Sequence, residues 1–163
     1  MEKTYETFPP RVFLTRVLTA LIKPSRVQNE VTSMGNEIAL NFDDDQVRGD
    51  LLDILIQLVV EQPLKIPIVS SIVLYANDKT PEAAKEVIAR AGRKAQSAVI
   101  LGDWREFKLI LRFFSLLQGI LDGEGVLQIF DDLFDRAVDL QTKSSKDVGF
   151  RAEIISSASL ILK

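Results

Sequence analysis

The sequence predicts an all-α fold, an α-α superhelix of antiparallel helical hairpins with about eight helices. Apolar residues recur every three or four positions almost throughout the chain, which is the spacing of one face of an α-helix. Helix-capping residues, prolines and glycines separate these stretches, and no strand pattern competes seriously with them. Because short turns make consecutive helices antiparallel neighbours, the helices are expected to pair as hairpins and the hairpins to stack.

The predicted helices are bounded by residues that start or stop an α-helix. In chain order they comprise Val12–Ile22, Val27–Ile38, Val47–Val59, Pro67–Ala76, Pro81–Leu101, Trp104–Leu121, Val126–Leu140 and Val148–Leu162. Pro24 ends the first helix, and Ser25 is predicted to cap the second. Asp43–Asp45 precede the third, where carboxylates suit the positive end of the helix dipole. The fourth begins with Pro67; its β-branched residues also suit a strand, but the flanking helices favour a helix, followed by a turn at Asn77–Lys79.

The second half of the chain carries the clearest boundary signals. Thr80 followed by Pro81 predicts the start of the fifth helix, and Gly102 is predicted to end it in the left-handed conformation. Asp103 is predicted to cap the sixth helix, with Glu106 returning a hydrogen bond in a capping box. The sixth helix is apolar over more than half of its circumference, which indicates burial between neighbouring helices.

The predicted hairpins follow no letter-level repeat, so irregular pairs of the HEAT-like kind are expected rather than tetratricopeptide or ankyrin repeats. Residues 1–163 are predicted to form a single helical-repeat domain, an incomplete first domain of a longer protein. The reason is that Ser159–Lys163 follow an apolar face, whereas a finished solenoid has a polar outer face on its last repeat. The apolar area left exposed by missing helices would favour self-association.

The composition excludes several classes of function. The chain has no cysteine and no histidine, the residues on which many nucleophilic, acid–base and metal sites depend. Its net charge is −3, without the basic excess that proteins binding a phosphate backbone usually show. Its apolar runs are too short to span a membrane. The sequence therefore predicts no catalytic, cofactor-binding or metal-binding residue, no cofactor, no membrane association and no small-molecule substrate.

Four features of the sequence admit either a functional site or a purely structural interpretation. They are a metal site at Asp43–Asp45, a base-stacking platform at Trp104, a phosphate-accepting or partner-contacting loop at Thr142–Lys146, and an acidic docking face at Asp131, Asp132, Asp135 and Asp139. In each case the structural interpretation is favoured. These are respectively a solvated helix start, core or hairpin packing, an exposed linker, and the solvated face of a helix.

Three segments resemble the large subunit of the nuclear cap-binding complex. The first is LDILIQLVVEQPLKIP, from Leu52 to Pro67, followed by IVSSIVLYAN. The others are GDWREFKLILRFFSLLQGILDGEG, from Gly102 to Gly125, and VLQIFDDLFDRAVDLQT, from Val126 to Thr142. The resemblance extends from about Arg16 to Leu162 and is a pattern over helices rather than a catalytic motif. Met1–Arg11 departs from the family, whose N-terminal arm is basic.

The resemblance implies a fold and a set of partners. The fold would be the middle domain of initiation factor 4G, built from HEAT-like hairpins. The partners would be a small cap-binding subunit, which binds the longer parent protein, and mRNA processing and export proteins. Capped RNA would be contacted only indirectly, through the small subunit. The location would be the nucleus, with shuttling to the cytoplasm.

Two alternatives remain open at the level of sequence. One is a middle-domain scaffold of a translation initiation or nonsense-mediated decay factor that docks a helicase. The other is a helical enzyme or small-ligand protein, which would require a closed pocket with convergent polar groups. The sequence shows no such cluster.

Overall fold

The computed structural model describes residues 10–19, 26–121, 125–129, 131 and 135. Its α-helices are α1 Pro10–Thr19, α2 Val27–Leu40, α3 Asp45–Glu61, α4 Ile66–Lys79, α5 Pro81–Leu101 and α6 Trp104–Leu116, with short 3₁₀ helices at Pro63–Lys65 and Gln118–Ile120. The described residues contain no strand, and the predicted all-α fold class of helical hairpins is confirmed. Of the predicted seventh helix, 126–129, 131 and 135 are described and helical, whereas the predicted eighth lies outside the described residues.

The chain divides into two compact units, Met1–Arg93 and Lys94–Lys163. In the first unit α1 packs on α3, and α2 packs most extensively on α4. Contacts between α1 and α2 and between α3 and α4 join the members of each hairpin. The first helices of the two hairpins thus lie together, as do the second helices, which is how stacked helical repeats bury their faces.

The core of the first unit is apolar and closely packed. Its largest fully buried side chains are Phe13, Met34, Leu51, Leu52, Leu55, Ile66 and Ile72. Gly35 lies where α2 meets α4: a Cβ built there would come within 2.6 Å of Tyr75 Cδ1 and 3.3 Å of the Ala76 backbone nitrogen. The missing side chain at Gly35 therefore allows α2 and α4 to approach closely.

Three helix boundaries of the first unit bear on the predictions. Asp44, at the predicted helix start, is the N-cap of α3, because its Oδ1 accepts hydrogen bonds from the backbone N–H groups of Gln46 and Val47. The predicted turn at Asn77–Lys79 is wrong, because these residues form the last turn of α4 and Thr80 alone separates it from α5. The N-cap of α2 is Arg26, without a side-chain hydrogen bond, and the predicted cap Ser25 lies outside the described residues.

The second unit contains the end of α5, α6 and the 3₁₀ turn that follows. Gly102 has a φ of +72°, so the predicted left-handed end of α5 is confirmed. The Gly102 N–H donates to the Val99 carbonyl and the Asp103 N–H to the Ala98 carbonyl, which satisfies carbonyls at the helix end. The side chain of Asp103 accepts a hydrogen bond from the Glu106 N–H, as predicted for the cap of α6.

Two predictions for α6 are wrong. The Glu106 carboxylate does not close a capping box, because the Asp103 N–H is bonded to Ala98 and Glu106 forms an ion pair with Lys94 at 3.2 Å. The α-helix ends at Leu116 rather than Leu121 and continues as the 3₁₀ turn. Its apolar face is nevertheless buried, at Phe107, Ile110, Leu111, Phe113 and Phe114.

Candidate interaction surfaces

The described residues contain no group of acidic side chains that could hold a metal ion. At Asp43–Asp45, Asp44 caps α3, Asp45 accepts a hydrogen bond from Arg48 at 2.7 Å, and Asp43 is exposed. Two of the three carboxylates therefore serve the start of the helix, Asp44 as its cap and Asp45 as the partner of Arg48.

Trp104 packs against its own helix. Its ring meets that of Phe107 edge to face, with centroids 6.0 Å apart and planes at 87°. The side chain is half-buried in the first turn of α6. This contact favours packing over the stacking of a base, because the arrangement is the ordinary one for two neighbouring aromatic rings.

The other two features lie partly or wholly outside the described residues. On the acidic face, Asp131 and Asp135 are described and are exposed. Asp132, Asp139 and the Thr142–Lys146 loop lie outside the described part of the chain. The Val126 N–H, at the start of this helix, donates a hydrogen bond to Gln118 Oε1 at 3.0 Å.

A partly buried ion-pair cluster joins α1 to α2. Arg16 donates to Glu30 at 3.0 Å and to Glu37 at 3.1 Å. The Glu37 side chain is only 8% exposed, and its Oε1 has no hydrogen-bond partner among the described residues. Burial raises the pKa of the Glu37 carboxyl above its ordinary value, and the Arg16 charge partly offsets this effect. We call Arg16, Glu30 and Glu37 the inner clamp.

A second cluster joins α3 to α5 on a more exposed side of the first unit. Arg90 donates to Glu86 at 2.7 Å and to Asp53, whose side chain is 72% exposed. Arg48 pairs with Asp45, and its Nε lies 3.1 Å from Glu86 Oε2, although that N–H does not point at the oxygen. The hydrogen bond to Glu86 is the main cause of a raised pKa at Arg90. We call these five residues the outer ladder.

The outer ladder also shows the direction of the helices. Arg48 on α3 faces Glu86 on α5, and Asp53, further along α3, faces Arg90, further along α5. The contacts advance in the same sense, so α3 and α5 run parallel within the first unit. This is the arrangement expected of the first helices of successive hairpins.

Sequence reasoning missed both clusters. Glu37 lies between Met34 and Ile38 on the buried side of α2, so a charge within an apolar stripe was the available signal. Nothing in the sequence indicated that Arg16, in another helix, would be its partner. For the outer ladder the sequence offered only charged residues in the fifth helix, such as Glu86 and Arg90. Their partners could not be predicted, because these contacts depend on which helices become neighbours.

Apolar side chains are exposed at a few points of both units. The most exposed are Leu64 at 81%, Leu101 at 78%, Ile100 at 77%, Leu40 at 59% and Leu127 at 59%. No helix within the described residues is long and apolar enough to cross a membrane. The chain is thus an all-α protein of helical hairpins, whose notable polar features are ion pairs that join helices.

Two proteins of known function are similar to this chain. The nuclear cap-binding protein complex subunit 1 of Eremothecium gossypii is 29% identical over 131 residues, which cover 72% of this chain and 15% of that protein. The protein of the same name from Saccharomyces cerevisiae is 27% identical over 110 residues, covering 60% of this chain and 13% of that protein. The chain therefore spans a small part of the length of either relative.

No protein-family model matches the chain. No solved structure matches it either. The similarity to two cap-binding proteins nevertheless supports the resemblance that the helical segments carry in the sequence, and it points to the same subunit.

Proposed function

We propose that this chain is a scaffold segment of the large subunit of a nuclear mRNA cap-binding complex. In this role it supports cap recognition by a small RNA-recognition partner and the recruitment of mRNA export, splicing and decay factors. The proposal is carried by the similarity to cap-binding protein complex subunit 1 over 72% of the chain. The stacked hairpins of the first unit agree with it, because such stacks present extended outer surfaces to partners.

The segment is proposed to act through contacts with proteins rather than through chemistry of its own. Its parent would be a longer protein with a domain of the middle-domain type, located in the nucleus and shuttling to the cytoplasm. Capped RNA would be bound by the small subunit and reach this segment only indirectly. The net charge of −3 supports this division of roles, since proteins that bind a phosphate backbone usually carry an excess of positive charge.

Affinity purification of the tagged parent protein, eluted from a 7-methylguanosine resin, tests the proposal. A small subunit with an RNA-recognition fold should copurify with the parent, and both should elute with free 7-methylguanosine nucleotide. A resin carrying unmethylated guanosine nucleotide is the matched control and should retain neither. Recovery of a DEAD-box helicase without any small cap-binding subunit would instead indicate a translation or decay scaffold, and would contradict the proposal.

A further inference from the structure

The exposed side of α2 carries a stripe without charged side chains, bordered by the exposed N-cap residue Arg26 and by Glu30, whose side chain is 37% exposed and paired with Arg16. Its exposed residues are Gln28, Asn29, Ser33 and Leu40. Asn36, half-buried, completes a stripe with Asn29, Ser33 and Leu40 at spacings of four, three and four residues, which is one side of a helix. Carboxamide and hydroxyl groups therefore dominate a surface that ends in an apolar side chain.

The inner clamp explains why this surface is uncharged. Glu30 and Glu37 are the only charged residues of α2, and both are bound by Arg16 of α1. In contrast, the exposed residues of α3 include Asp45, Asp50, Asp53 and Glu61. Since 26% of the chain is charged, an exposed helix stripe with none is a local departure from the general surface.

The neutral character continues onto α4, which packs directly on α2. Pro67, Ser71 and Leu74 are exposed at spacings of four and three residues, and Leu74 is 38% exposed. Asp78 follows on the same side and pairs with Lys79 at 3.5 Å; both side chains are exposed, so they bound the uncharged stripe of α4. We call the stripes Asn29–Leu40 and Pro67–Leu74 together the neutral face.

The chemistry of the neutral face selects one kind of partner. A carboxamide both donates and accepts hydrogen bonds, as a peptide group does, and depletion of charge is typical of the centre of protein interfaces. Asn29 and Ser33 are about 6 Å apart along the helix axis, close to the roughly 6.6 Å repeat of two residues in an extended chain. A phosphate backbone would find a single cation, Arg26, beside this stripe, and a charged peptide would find no counter-charge on the stripe itself.

We propose that the neutral face is the docking surface for an extended polypeptide segment without charged side chains, held largely through its main chain. Leu40 and Leu74 supply apolar contacts at the ends of the two stripes, and the carboxamides and hydroxyls bond to peptide groups. This inference deepens the scaffold function proposed above. It rests on that function in one respect, namely that the docked segment belongs to a partner in the proposed complex.

Selection of short randomised peptides on the 163-residue chain provides a defined probe. The selected peptide should be free of charged residues, and its affinity is measured by fluorescence anisotropy. Asn29→Asp with Ser33→Asp, and Asn29→Lys with Ser33→Lys, should each weaken binding at least about tenfold. The matched controls are the same pairs of changes at Gln96 and Ser97, an exposed Gln–Ser pair on α5, which should leave the affinity unchanged.

Each part of the inference has an outcome that overturns it. A loss with only one sign of charge would show that the occupant is charged, and equal losses at Gln96 and Ser97 would place the site elsewhere. Binding unchanged by N-methylation of the peptide would exclude main-chain recognition. Competition by a capped RNA oligonucleotide, or a monomer–dimer equilibrium shifted by the same variants, would assign the face to RNA or to a second copy. None of these outcomes affects the copurification test of the proposed function.

Discussion

The contacts of α2 with α4 and of α3 with α5 join helices of the same first unit in different ways. At α2 and α4 the backbones approach closely at Gly35, and the neighbouring side chains are apolar and buried. At α3 and α5 the described contacts include the five charged residues of the outer ladder. The difference separates a contact that depends on shape from one that depends on charge.

The two regions also differ in what they leave exposed. The outer ladder sits beside further exposed carboxylates of α3, so that side of the unit is suited to solvent. The inner clamp binds the charges of α2 on its inner side, and the neutral face remains outside. Ion pairs of similar length thus have different consequences, because burial decides how much each costs to break.

Removing Arg16 should be the most damaging change. Arg16→Gln leaves the Glu37 carboxylate buried without its positive partner, and we expect a loss of about 3 kcal/mol in the free energy of unfolding. The measurement is urea denaturation at neutral pH. Arg90→Gln in the outer ladder is the matched control, with an expected loss below about 1 kcal/mol because Asp53 is mostly exposed. Equal losses would show that burial does not distinguish the clusters.

Adding a methyl group at Gly35 should separate α2 from α4. Gly35→Ala would place a Cβ 2.6 Å from Tyr75 Cδ1, and we expect a net loss of about 1–3 kcal/mol in unfolding free energy. Gly92→Ala in α5 has nothing within 4 Å of the new Cβ and should instead stabilise the protein by up to about 1 kcal/mol, because alanine favours a helix. Thermal denaturation of both variants measures the difference; a stabilised Gly35→Ala would refute the close approach.

The inner clamp should also give the unfolding free energy a pH dependence. The pKa of Glu37 is raised in the folded state, so its stabilising contribution is present below the ordinary carboxyl pKa and is lost as the pH rises through the raised value. Glu37→Gln should therefore gain in stability relative to the unaltered protein over that rise. Parallel urea titrations between about pH 4 and pH 7 measure this. If Glu37→Gln instead lost stability relative to the unaltered protein as the pH rises, the charge of Arg16 would affect the pKa of Glu37 more than burial does.

The smallest expected effect is the salt dependence of the outer ladder. The electrostatic screening length is about 3 Å at 1 M salt, so exposed ion pairs contribute little there. The loss of unfolding free energy caused by Arg90→Gln should therefore fall towards zero at about 1 M salt. The loss caused by Arg16→Gln should change less, because Glu37 is only 8% exposed. The measurement is unfolding of both variants at low and high sodium chloride. If the inner clamp were as salt-sensitive as the outer ladder, the difference in burial between the two clusters would not account for their contributions to stability.

Local sequence signals predicted the parts of the fold that depend on neighbouring residues. The cap at Asp103, the helix start at Pro81 and the left-handed Gly102 each follow from the chemistry of one or two side chains. The predicted turn at Asn77–Lys79 failed because turn-forming residues also suit a last helical turn when a proline lies just beyond. The capping box failed because Lys94, in another helix, competes for Glu106.

The candidate surfaces were less predictable because they depend on which helices become neighbours. The spacing of Asn29, Ser33 and Asn36 could be read from the sequence, but their exposure and the binding of Glu30 and Glu37 to Arg16 could not. The resemblance carried by the helical segments indicated the cap-binding subunit, and the similar proteins support it. Neither indicated a docking face.

Single thiols test most directly whether partners are held by the neutral face. This segment contains no cysteine, so Ser33→Cys on α2 and Gln57→Cys on the exposed side of α3 each introduce one reporter. Alkylation of the corresponding peptides is compared between the isolated protein and its affinity-purified assembly, by mass spectrometry after digestion. Slower alkylation in the assembly at position 33, with an unchanged rate at position 57, is the expected result. Equal rates at position 33 in both states, or protection at position 57 alone, would contradict it.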